Sequence, residues 1–127
     1  MNQKHTLNAL KKLAESDASI EVVWLYGSRA KGTADADSDF DLAIAFQSLP
    51  ENRASYFTED LAFQWMEQVN VKISIVDINQ IPIPLAYNII EEGEIIMSAN
   101  PLRIHSEQSR VWSLWEEYRY EYLKNRA

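Results

Sequence analysis

The sequence predicts an α/β (α+β) fold in which a small mixed β-sheet is covered by helices. Three observations carry that prediction. Two short β-branched and aromatic runs, Ile20 to Tyr26 and Phe40 to Phe46, flank a small polar connection. Two further runs, Val71 to Ile78 and Glu94 to Met97, have the composition of strands. The segments around them place apolar residues at helical spacing.

Taken in order, Leu7, Leu10, Leu13 and Ala14 recur among Lys and Glu and predict an amphipathic helix near residues 3–15, ending before Ser16 and Asp17. Ile20 to Tyr26 reads as a largely buried strand stopped by Gly27, and Phe40 to Phe46 as a second. From Ala54 to Val69, Phe57, Leu61, Phe63, Trp65, Met66 and Val69 fit a helix, with Glu59 and Asp60 early in it where acidic groups suit the helix dipole. Val71 to Ile78 alternates as a third strand. Pro82 and Pro84 mark a turn before a short helix, Leu85 to Glu92, closed by Gly93. Glu94 to Met97 is a fourth strand, expected at an edge. After Asn100 and Pro101 a last helix, about Glu107 to Lys124, carries Val111, Leu114, Trp115, Tyr118 and Tyr122 in one stripe. Trp112 and Tyr120 lie off that stripe; most of these aromatics are expected in the core, with outer ones available to a protein partner.

A chain of 127 residues fits a single domain, 1–127, and is too small for a second catalytic one. Its formal charge of −7 argues against direct nucleic-acid binding, which relies on clustered Lys and Arg to neutralise phosphates. The expected macromolecular partner is therefore a protein. With no cysteine, disulfides, thiolate zinc sites and thiol nucleophiles are excluded. His5 and His105 are far apart and neither sits in a ligand-spaced motif, which leaves oxygen-ligand metal chemistry. The first sixteen residues lack the apolar core of a signal peptide, and nowhere do eighteen apolar residues run together. The reading is a cytoplasmic, soluble protein with no membrane contact.

The informative segment runs from Gly27 to Asp41. Asp39 and Asp41 are two apart at the head of a strand, so a period of two sends both carboxylates to one face. Left alone they would repel; a bound Mg²⁺, which prefers oxygen ligands and substrate phosphates, removes the conflict. Gly27 and Ser28 stand where the preceding strand ends, so backbone N–H groups and the Ser28 hydroxyl can face an anion. If the two strands are neighbours, the anion-holding turn and the acidic pair share one end of the sheet, as phosphoryl or nucleotidyl transfer requires. Asp35 and Asp37 read as loop acids.

Two rival motifs fail. Asp35, Asp37 and Asp39 imitate the opening of an EF-hand, but Phe40 and Phe46 stand where Gly and Glu are needed. Gly27 to Gly32 imitates a P-loop, but Thr33 and Ala34 follow in place of Lys and Ser/Thr.

Gly27-Ser28, ten residues, then Asp39-Phe40-Asp41 resembles the GS-x10-D-x-D signature of DNA polymerase β-type nucleotidyltransferases. The phrase GSRAKGTADADSDFDLAIAF resembles in particular the minimal nucleotidyltransferase (MNT) antitoxins, and the likeness extends through SIVDINQIPIPLAYNIIEEGEIIM to the aromatic last helix. Such antitoxins are paired with HEPN-domain ribonuclease toxins, and some neutralise the toxin by transferring AMP from ATP to its tyrosine. The resemblance implies a polymerase β-type fold and protein AMPylation. It further implies that Asp39 and Asp41 are the catalytic, Mg²⁺-binding residues, and that Gly27 and Ser28 hold the triphosphate of ATP. Arg29 is either a further phosphate contact or a surface charge.

One departure stands out. The family usually supplies a third carboxylate from the next strand, and an ungapped match puts Ser74 there; Asp77, three positions on, is expected on the opposite side of the sheet. That departure leaves room for an antitoxin that neutralises by binding alone; the shared signature leaves a further alternative, a small-molecule nucleotidyltransferase, against which the short chain argues. A ribonuclease role for the chain itself is not supported, because neither histidine has the HEPN spacing from an arginine.

Overall fold

The computed structural model describes residues 3–47 and 56–126. Helix α1 (Gln3–Glu15) precedes strand β1 (Ile20–Tyr26), and a single turn, α2 (Ser28–Lys31), precedes β2 (Phe40–Phe46). Then follow α3 (Phe57–Val69), β3 (Ile73–Asp77), α4 (Ile83–Glu92), β4 (Glu94–Ser98) and α5 (Pro101–Arg126). The sheet order is β3-β2-β1-β4. β1 pairs antiparallel with β2 and β4, whereas β2 and β3 are parallel, so the sheet is mixed and β4 lies at an edge, as expected. A parallel pair needs a crossover, and α3 supplies it.

Helices cover both faces of the sheet. On one, Leu10 and Ala14 of α1 and Leu61, Trp65 and Val69 of α3 pack on Val23, Leu25, Leu42 and Ile44. On the other, Ala86 and Ile89 of α4 and Val111 of α5 pack on Val22, Trp24, Ala43 and Ala45. Burial on both faces is why β1 and β2 read as near-continuous apolar runs. A register shift between Ile20 and Val22 bulges β1, which puts Ile20 on the same face as Val23 and Leu25.

Several boundaries depart from the sequence-based ones. The first two strands end where expected, but β3 is shorter than Val71 to Ile78. The expected start of the third-segment helix at Ala54 lies outside the described residues. Helix α4 begins at Ile83 and takes Pro84 into its first turn, where a missing N–H costs no intrahelical bond. Gly93 does close α4, but in an extended conformation. An ideal Cβ there would lie 2.5 Å from the Ile89 carbonyl oxygen, so close approach selects the glycine.

The largest correction concerns α5, which starts at Pro101, six residues before the expected Glu107. Its first turns are fixed by a polar network that spacing cannot reveal. The Arg103 guanidinium donates to Glu21 on β1 at 2.8 Å, to the Phe46 carbonyl at 2.7 Å and to Asn79 at 2.7 Å. It also meets Glu107 at 2.9 Å, and Arg110 meets the other oxygen of that carboxylate. Glu107 is buried. Burial alone would raise its pKa, but hydrogen bonds from Arg110, Asn79 and Arg103 outweigh it and hold the carboxyl below its usual range. The sequence predicts that most aromatics of this last helix lie in the core. Instead the described side chains from Glu116 to Asn125 are all exposed, including Tyr120 (66%) and Leu123 (59%).

Candidate active site

The Gly27-Ser28 turn and the acidic pair meet at one end of the sheet. β1 and β2 are antiparallel neighbours, so the end of one lies beside the start of the other, and Tyr26 is paired in register with Asp41. On the far side Asp41 pairs with Ser74 of β3, which brings three chain segments to the same corner.

Gly27 is essential to that corner for two reasons. Its φ of 72° and ψ of −154° define a conformation that L side chains rarely adopt. An ideal Cβ at this position would also lie 2.5 Å from Asp41 Oδ2. The turn therefore closes directly over the carboxylate. Ser28 follows as the first residue of α2, whose Ala30 and Lys31 N–H groups both bond the Gly27 carbonyl at 3.1 Å.

The alternation of β2 sends Phe40, Leu42 and Ile44 into the core beneath α1 and α3, which leaves Asp41 on the opposite face with Ala43 and Ala45. Asp41 is half-buried, whereas Asp39, one residue before the strand, is exposed. Burial pushes the Asp41 carboxyl above its ordinary range, and the neighbouring charge of Asp39 pushes it further in the same direction. Tyr26 is raised as well, first by burial and then by Asp41. Negative charge is thus disfavoured at this corner, and a cation placed between the two acids would reverse the effect.

The donor chemistry fits Mg²⁺. Two carboxylates from one short segment, open to solvent on one side, suit an ion that takes few protein ligands and completes its shell with phosphate oxygens and water. Among the described residues, no group of three or more His, Cys, Asp or Glu side chains gathers to hold a metal. Asp77 cannot add to the pair. It is buried beside Ile44 on the other side of β3 and accepts a bond from the Asn79 N–H at 2.9 Å. Ser74 is therefore the side chain that stands beside Asp41 from β3.

Of the other residues singled out in the sequence, Asp35 organises the loop. Its carboxylate accepts from the Asp37 N–H at 2.9 Å and from the Ser38 hydroxyl at 3.3 Å. Arg29 does not reach outward as a free charge. Its guanidinium lies over the Phe40 ring and donates to the Ser38 carbonyl, an engagement that no spacing in the motif would have revealed. The histidines are exposed, one on α1 and the other on α5. Among the described residues no helix is long and apolar enough to cross a membrane.

A family model for "Polymerase beta, Nucleotidyltransferase" matches residues 8–102. No significant match is found among curated protein sequences. Among solved structures, a toxin-antitoxin with AMP-PNP is similar with a TM-score of 0.78 at 18% identity, covering 91% of this chain and 90% of that one. The toxin-antitoxin MntA-HepT gives a TM-score of 0.73 at 16% identity, covering 94% and 92%. A tri-AMPylated Shewanella oneidensis HEPN toxin in complex with MNT antitoxin gives 0.74 at 16% identity, again covering 94% and 92%. At such identities the likeness is one of fold.

Proposed function

The chain belongs to the polymerase beta nucleotidyltransferase family, and from that premise we propose that it is an antitoxin that transfers AMP from ATP to a hydroxyl, that of a tyrosine, on a cognate HEPN ribonuclease toxin. The observation that supports the reading is the closure of the Gly27 turn over Asp41, which sets a turn suited to an anion beside the acidic segment. The similar structures support the partner, since they are of toxin–antitoxin pairs, one with its toxin AMPylated.

In this reading Gly27 and Ser28 face the triphosphate, and Asp39 and Asp41 would hold Mg²⁺. The ion, when bound, neutralises phosphate charge and polarises the transferred group. The acceptor oxygen forms a bond to the α-phosphorus of ATP as the bond from that phosphorus to the bridging oxygen breaks, and pyrophosphate leaves. The hydroxyl proton must go elsewhere. Ser74, a neutral hydroxyl beside Asp41, is no base, so the proton passes to water or to a group of the partner. Each transfer adds a bulky anion to the toxin, which can block a surface that must bind RNA phosphates.

The exposed end of α5 is the proposed docking surface. The helix has 26 residues and is about 39 Å long; Tyr87 of α4 stacks on Trp115, and Trp115, Tyr118 and Tyr122 follow in succession along α5. Trp112 is held by a bond from its indole N–H to Glu91 at 2.7 Å. Rigid aromatics of this kind commonly dominate protein interfaces. In this reading the protein acts in the cytoplasm, with its toxin.

The test is transfer of label. With ATP labelled at the α-phosphate and Mg²⁺, label should appear on the toxin, whereas label at the γ-phosphate should leave in pyrophosphate. Absence of α-label on a toxin that is nonetheless bound and inhibited would sink the enzymatic reading. It would favour the second one, neutralisation by binding alone, which Ser74 in place of a third acid supports.

A further inference from the structure

Arg29 is engaged on three sides, and two of them bear on the residues that precede and follow Asp39. Its Nη2 and Nε donate to the Ser38 carbonyl at 2.9 and 3.3 Å. Its guanidinium carbon lies 4.3 Å from the centre of the Phe40 ring. Nη1 reaches Gln3 Oε1 at 3.5 Å, while Gln3 Nε2 donates back to the Arg29 carbonyl at 2.9 Å, tying α2 to the first turn of α1. On the other side of Asp39, the Phe40 N–H donates to the Lys72 carbonyl at 2.9 Å.

The peptide after Asp39 is therefore fixed to the segment leading into β3, and the peptide before it is fixed by Arg29. Asp39 itself is exposed and lies outside the strand. The Phe40 bond holds Asp39 from its C-terminal side and the Ser38 N–H bonds the Asp35 carbonyl at 3.2 Å, while Arg29 adds contacts that span both neighbours of Asp39. We propose that Arg29 is a positioning residue, a clamp on Ser38 and Phe40 that aims Asp39 at the site it shares with Asp41, and that it is not a phosphate ligand. The proposal rests on the reading of Asp39 as a metal ligand. The planar fork explains the residue type: two N–H groups converge on one carbonyl while the flat face lies on a ring, which a lysine ammonium cannot reproduce.

The experiment compares wild type with Arg29→Lys, which keeps the charge, and with Gln3→Ala, which removes only the outer support. Amide hydrogen exchange over residues 35–40 reads the clamp without any ligand. Mn²⁺ uptake in the presence of ATP, followed by electron paramagnetic resonance, reads the metal site. ATP affinity without metal reads the phosphate contacts. The clamp predicts exchange at the Phe40 amide at least about tenfold faster in Arg29→Lys, and half-saturating Mn²⁺ raised about tenfold, as for loss of a group that orients a metal ligand. Metal-free ATP affinity should stay within about twofold, and Gln3→Ala should shift the first two readouts the same way by less. Unchanged exchange in Arg29→Lys, or weaker metal-free ATP binding with unchanged Mn²⁺ dependence, would overturn the proposal. If wild type takes up no Mn²⁺, the metal reading itself fails, and the exchange result still decides whether Arg29 clamps the loop.

Discussion

Gly27 and Asp41 are in direct apposition: the space that a Cβ would need at Gly27 is filled by Asp41 Oδ2, 2.5 Å from the ideal position. Fourteen positions apart in sequence, the two residues are brought together by the antiparallel pairing of β1 and β2.

Gly27→Ala should therefore do two separate kinds of damage. The positive φ makes it destabilising by about 1–3 kcal/mol, measurable by denaturant unfolding. Displacement of Asp41 should cost far more in function, at least about a hundredfold in transfer, as misplacement near reacting groups does. A variant that unfolds more easily yet transfers at the wild-type rate would contradict this placement.

Asp41→Asn should stabilise the ligand-free protein at neutral pH while abolishing transfer. The sign follows from the raised carboxyl: a folded-state pKa above the ordinary 3.8 means that ionisation costs stability, fully so above the folded value. The stabilisation should fade as pH falls through that value and Asp41 becomes neutral in wild type. Mg²⁺ with ATP should raise the melting temperature of wild type and leave that of the variant unmoved. Equal melting temperatures at pH 7 would refute the electrostatic account.

The Glu107 network predicts the opposite pH dependence. Glu107 is held below the ordinary 4.5, its burial outweighed by Arg110, Asn79 and Arg103, and Glu21 is lowered chiefly by Asn100. Depressed carboxyls contribute stability that is present above about pH 4.5 and is lost as pH falls through their folded values. Glu107→Gln should cost about 1–3 kcal/mol at pH 7, since it takes the carboxylate from Arg110 and leaves Arg103 paired with Glu21. The variant should also show a shallower loss of stability in acid, which thermal unfolding across pH would reveal.

Toxin binding should depend on the far half of α5 and not on the carboxylate corner. Tyr120→Ala with Leu123→Ala removes two exposed apolar side chains without touching the core. Affinity for the toxin should fall at least about tenfold by calorimetry, with the melting temperature unchanged, if these side chains anchor the interface. Undiminished affinity would place the docking surface elsewhere.

Much of this architecture was legible in the sequence because its signals are local. The runs Ile20 to Tyr26 and Phe40 to Phe46 coincide with β1 and β2, as both are buried on two faces and bounded by polar residues. The opposite orientations of Ser74 and Asp77 follow from strand alternation alone. What stayed hidden is tertiary. Helix α2 is a single turn, too short to show a period. The early start of α5 depends on Arg103 meeting Glu21 and Phe46, 82 and 57 positions away. A stripe such as Leu114, Trp115, Tyr118 and Tyr122 looks like core in sequence, yet Leu114 and Trp115 are half-buried and Tyr118 and Tyr122 are exposed. Arg29 reads in sequence as a ligand or a bystander, because its contacts with Ser38, Phe40 and Gln3 are tertiary.

The central claim is tested most directly by the intact mass of the cognate toxin after incubation with this protein, ATP and Mg²⁺, beside an Asp39→Asn/Asp41→Asn control. Mass added in whole steps of one AMP by wild type, and none by the control, is the predicted result. An unmodified toxin that is still tightly bound, or modification that survives in the control, would contradict the account.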